Sequence, residues 1–119
     1  LKKVGYKITD RLDLIEGYLN VTKPIHKLTP MEIKVLSYFI DQYLELQSKV
    51  LDDTLLNKLV FSKDTRETIM NRLEISKHSL SNTEASLSRK GIFNNGIINK
   101  YIIPELDGDN LKLYVYFYK

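Results

Sequence analysis

Apolar residues recur with a helical period up to about Leu87, and the period then shortens to that of strands. The clearest helical run is KLTPMEIKVLSYFIDQYLEL, where Ile33, Leu36, Phe39, Ile40, Tyr43 and Leu44 share a face. Its start is signalled three ways. Thr29 is a good N-cap with Glu32 at N3, completing a capping box, and Pro30 falls at N1, where no N–H is needed. Leu28 and Ile33 stand where a hydrophobic staple would close. A helix over 30–46 is predicted. Leu55, Leu56, Leu59 and Val60 predict a turn or two of helix after Asp53 or Thr54. Asp64 as cap, Glu67 at N3, and Ile69 with Leu73 predict another helix over 65–73. A tight turn at Glu74-Ile75 then leads to Ser76 as cap of a helix over 77–89.

Towards the C-terminus, GIINKYII and LKLYVYFY are β-branched and aromatic, with the turn-forming PELDGDN between them. They predict an antiparallel hairpin over 97–103 and 111–118. Leu111, Leu113, Val115 and Phe117 would pack inward, with Lys112, Tyr114, Tyr116 and Tyr118 on the other face. Asn94-Asn95-Gly96 predicts a tight turn leading into it. At the N-terminus, Val4, Tyr6 and Ile8 alternate like a strand, and Asp10 can cap a helix carrying Leu12, Ile15, Tyr18 and Leu19. Pro24 ends it. Residues 1–27 are therefore expected to form an irregular arm, and 28–119 a single α+β domain.

Composition excludes several functions. The chain of 119 residues is 43% hydrophobic and 28% charged, a globular balance, and no apolar run approaches the ~18 residues of a membrane span. Leu1-Lys2-Lys3 runs into mixed polar sequence, so no secretory signal is expected; the first residue is not Met, as in a processed product or fragment. A cytoplasmic location fits the absence of cysteine, which also removes thiolate metal sites and nucleophiles. Eighteen basic and 15 acidic residues give +3, a mild excess that permits nucleic acid without demanding it. One alanine among many Ile, Asn, Lys and Tyr fits an AT-rich genome, such as many phages carry.

The segment ISKHSLSNTEASLSRKGI holds the richest candidate surface. At about 100° per residue, Leu80 and Leu87 align inward with Gly91 beyond them. His78, Asn82, Ala85, Ser86 and Arg89 face the other way, flanked by Ser79 and Ser81, with Lys90 just past the end. Small residues permit close approach, hydroxyls bond phosphate oxygens, Asn pairs with adenine, and Arg or Lys with guanine. The positive end of the helix dipole at Ser76 favours a phosphate.

RLEISKHSLSNTEASLSRKGI resembles the second helix, turn and recognition helix of winged helix-turn-helix domains, through Leu73, Ile75, Ser76, Leu80, Leu87, Lys90, Gly91 and Ile92. LTPMEIKVLSYFI is similar to the opening helix of many of them. The resemblance spans 28–118 and implies a three-helix core with a C-terminal β-hairpin wing. It also implies sequence-dependent binding of double-stranded DNA in transcription or replication control, with 77–89 in the major groove. His78, Asn82 and Arg89 would read bases; Ser76, Lys77, Ser79, Ser81, Ser86 and Lys90 would touch the backbone, with Lys100 as a further contact from the wing. Glu84 departs from the pattern, standing where an apolar residue usually packs. Either Thr83 fills that gap, or a cation such as Lys77 or Arg72 meets Glu84 at the rim. The predicted wing tip carries Glu105, Asp107 and Asp109, which phosphates would repel.

The competing expectation is a winged-helix protein-interaction module, for example a component of a virion or another complex; a homodimer or other protein partners are compatible with either. Tyr114, Tyr116 and Tyr118 could stack unpaired bases, line an interface or cover the sheet. Asp52-Asp53 reads as a turn and helix cap, and two separated histidines make no metal site. No GxSxG, HExxH or phosphate-binding Gly loop occurs, so neither enzyme activity nor a cofactor is expected.

Overall fold

The first described helix opens where Asp10 accepts a hydrogen bond from Asp13 N–H, and its inner residues Ile15 and Leu19 are completely buried. The structure, a computed structural model, describes residues 10–107 and 110–112. Helix α1 (Arg11–Val21) passes into the one-turn α2 (Lys23–His26). The segment expected to be an irregular arm is thus helical from Arg11 and belongs to the core. Val4, Tyr6 and Ile8 lie outside the described residues.

His26 closes this corner. Its Nε2 lies 2.6 Å from Leu19 O, and its Nδ1 accepts from Leu28 N–H at 3.0 Å. Both bonds together require a neutral ring with its proton on Nε2. Leu28 is thereby delivered, fully buried, to the start of α3 (Pro30–Gln47). The predicted capping box is present: Glu32 N–H donates to Thr29 Oγ1 and Thr29 N–H donates to Glu32 Oε1.

Helix α3 is the axis of the fold. Ile33, Val35, Leu36, Phe39, Ile40, Tyr43 and Leu44 are buried, a spread too wide for one face, and α1, α4, α5 and α6 all pack on it. Arg11 pins α1 to it through Asp41 at 2.6 Å and Glu45 at 2.9 Å. Helix α4 (Asp53–Val60), capped by Asp52, contributes Leu56 and Val60. Helix α5 (Lys63–Leu73) begins two residues earlier than the Asp64 signal predicts. Ser62 is the cap, its hydroxyl accepting from Thr65 N–H. After the turn, with Glu74 left-handed at φ 54°, Ser76 caps α6 (Lys77–Arg89) as expected.

Helix α6 ends in a Schellman motif. Gly91 takes φ 80°, its N–H donates to Ser88 O, and Ile92 N–H donates to Leu87 O. The chain then enters strands β1 (Phe93–Asn94) and β2 (Ile97–Ile98), paired Phe93 to Ile98 and Asn94 to Ile97. Asn95 and Gly96 have φ of 51° and 74°, the double left-handed geometry of a type I′ turn. This corrects the predicted wing. Asn94-Asn95-Gly96 belongs to the hairpin itself, and 100–102 is a 3₁₀ turn rather than strand. A second antiparallel pair joins β3 (Glu105–Asp107) to β4 (Asn110–Lys112). Tyr114, Tyr116 and Tyr118 fall outside the described residues. The described chain is α+β, mostly helical, with small antiparallel hairpins.

Candidate nucleic-acid interface

The outward face of α6 is set by what holds its inward face. Leu80 and Leu87 are buried at 2% and 0% exposure, and Thr83 joins them, its hydroxyl donating to Ser79 O. Lys77, His78, Ser81, Asn82, Ala85, Ser88 and Arg89 are exposed, and Ser79 is half-buried. His78 and Asn82 touch each other, with Asn82 Nδ2 3.2 Å from His78 Nε2.

The acid of α6 is turned away from this face. Glu84 receives Arg66 of α5 through three hydrogen bonds, the shortest 2.9 Å, while Arg66 Nη1 also donates to Phe61 O at 2.6 Å. Thr83 does fill the inner position, and the cation is Arg66 rather than Lys77 or Arg72. Nothing local marks Arg66 for this role, because 18 residues separate the pair. Arg66→Ala is expected to leave Glu84, whose side chain is only 16% exposed, without its cation and to cost about 1–2 kcal/mol in urea denaturation. Arg66→Lys should recover part of that loss. A neutral Arg66→Ala result would mean the pair does not hold α6.

A second lock works at the other end of the helix. Ser86 Oγ donates to Glu32 Oε2 and Lys90 Nζ to Glu32 Oε1, both at 2.6 Å. Glu32 is 3% exposed. Burial alone would raise its pKa, but the bonds from Lys90, Ser86 and Thr29 outweigh that and bring it down to about 2. Ser86 and Lys90, expected to touch DNA, are therefore engaged within the fold. Lys100 is also paired, 3.1 Å from Asp53 Oδ2. Ser76 holds Ser79 N–H as cap. The structure brings Lys77, His78, Ser81, Asn82 and Arg89 together on one exposed face and sets Ser86, Lys90 and Lys100 apart from it.

The β1–β2 hairpin follows directly from this helix. Phe93 and Ile98 anchor it in the core, and buried Asn57 accepts from Ile98 N–H. Its turn, Asn94 to Ile97, is exposed. From Ala85 to Pro104 the chain carries no acid. Glu105 and Asp107, which phosphates would repel, lie on the later strand β3.

No protein-family model, curated protein or solved structure matches the chain. Among the described residues no three His, Asp or Glu side chains gather where a metal ion could be held, and no helix is long and apolar enough to cross a membrane.

Proposed function

We propose that this is a winged helix-turn-helix domain that binds double-stranded DNA as a regulator of transcription or replication. Helices α3, α5 and α6 form its trihelical core and the β1–β2 hairpin its wing. One observation carries the proposal: α6 exposes an imidazole, an amide and two cations while its acid is locked inward on Arg66. A face of that composition suits the major groove, where the phosphates on either side repel exposed carboxylates. Arg89, Asn82 and His78 read base edges. Lys77, Ser81 and the N-terminal turn of α6 meet phosphates, with Ser76 and Ser79 beside them. The acid-free wing lies against the neighbouring backbone.

Salt titration of duplex binding tests this. Affinity should fall steeply in a log–log plot, and Lys77→Ala should flatten the slope by ~1. Lys90→Ala should leave the slope nearly unchanged, since Glu32 already neutralises that ammonium. Absence of duplex binding near about 50 mM salt would overturn the proposal.

A protein-docking role has one observation in its favour. Leu51 is 95% exposed, Tyr101 96% and Ile97 51%, each within three residues along the chain of Asp53 or Lys100, which pair with each other. Under that reading Tyr101→Ser abolishes complex formation and leaves α6 variants without effect.

A further inference from the structure

Two grooves flank Arg66, and each carries more cation than acid. The first lies between α5 and α6, with Lys63, Glu67, Lys77, Ser81 and Glu84 on its walls. The second lies between α4 and the turn of the β1–β2 hairpin, lined by Asp53, Lys58, Asn95, Gly96 and Lys100. Every acid in them already faces a cation. Glu84 receives Arg66 at 2.9 Å, Asp53 receives Lys100 at 3.1 Å, and Glu67 lies 3.7 Å from Lys63. Lys77 in the first groove and Lys58 in the second enter no ion pair among the described residues. Positive charge is therefore left over in both.

We infer that the two grooves form one track for the sugar-phosphate backbone of a duplex. It runs from the start of α6 past Arg66 to the hairpin turn, with Lys58 as a phosphate contact from α4. This rests on the duplex-binding reading above and extends it to a helix outside the trihelical core.

A cleft lined by cations concentrates positive potential, and a polyanion that releases counterions along it gains most. Lys58, Lys63, Lys77 and Lys100 are all exposed, so a single small anion would stay hydrated beside any one of them. A strand of phosphates instead adds contacts along the track. Ser81 and Asn95 supply neutral groups that bond phosphate oxygens. Gly96, at φ 74° and without a side chain, lets a ligand come close to the main chain. Lys23 of α2 is equally exposed but lines neither groove.

Salt titration of duplex binding by Lys58→Ala, Lys77→Ala, their double variant and Lys23→Ala tests the inference. All three side chains are exposed, so their removal leaves the core intact. Lys58→Ala and Lys77→Ala should each flatten the log–log slope by ~1, and the double variant by ~2. Lys23→Ala should match the wild type. A wild-type slope for Lys58→Ala beside a flattened one for Lys77→Ala would overturn the inference and leave duplex binding standing. Equal flattening by Lys23→Ala would do the same, since net charge rather than the track would then set the slope. Preference for an unpaired strand of the same length, or no duplex binding near about 50 mM salt, overturns both.

Discussion

Glu32→Gln is expected to destabilise the domain by about 3–4 kcal/mol at neutral pH and to remove one component of its acid sensitivity. The carboxylate is 3% exposed and accepts from Thr29 N–H, Ser86 Oγ and Lys90 Nζ. Its pKa falls from the ordinary 4.5 to about 2, so the folded state binds the proton less readily than the unfolded chain. The sign follows. The stabilisation is complete above the unfolded-state pKa and is lost progressively as pH falls from about 5 towards 2. Each pKa unit corresponds to about 1.4 kcal/mol, so the fall from 4.5 to about 2 is worth about 3–4 kcal/mol. Glutamine keeps the shape but forfeits the charge-assisted bonds. Urea denaturation across this range should show the wild-type and variant curves converging at low pH. Parallel curves would mean that Glu32 is not the acid-labile latch between α3 and α6.

Phe39→Ala should have a still larger effect, about 4 kcal/mol, with a drop in Tm of roughly 10–20 °C. Phe39 is fully buried at the centre of α3. Its ring lies 5.0 Å from Phe61, at the end of α4, and 5.3 Å edge-to-face from Phe93 of the hairpin, which itself meets Phe61 at 4.9 Å. The three rings join a helix, a loop and a strand. Removing the middle one leaves a cavity and two broken aromatic contacts, against a total stability of about 5–15 kcal/mol for a domain of ordinary size. Phe39→Leu should cost much less, since most of the volume stays. A loss below about 1.5 kcal/mol for the alanine variant would show that the site collapses without penalty.

These two positions differ in how far the sequence discloses them. Phe39 is legible as core because it shares a helical face with Leu36, Ile40 and Tyr43. Glu32 is legible only in part. Its place at N3 marks it as half of a capping box, and that satisfied role gives no reason to look for further partners. Ser86 and Lys90, 54 and 58 residues away, bind the remaining carboxylate capacity. The β1–β2 hairpin escapes the sequence pattern for a related reason. LKLYVYFY and its flanking turn carry a strong strand pattern, whereas two-residue strands such as Phe93–Asn94 are too short to show alternation.

What the sequence by itself determined is whatever a few neighbouring residues settle. Thr29 with Glu32 starts α3, Ser76 starts α6, Gly91 ends it, and the spacing of Leu80 and Leu87 chooses its inner face. Caps and periodicity act within one or two turns, so their residues must lie close along the chain. Only the tertiary structure decided which charges pair among the described residues: Lys90, Lys100 and Glu84 are taken by Glu32, Asp53 and Arg66, while Lys77 and Arg89 stand on the exposed face of α6. Coulombic partners are chosen by distance in space, and the folded chain brings together charges that the sequence holds far apart.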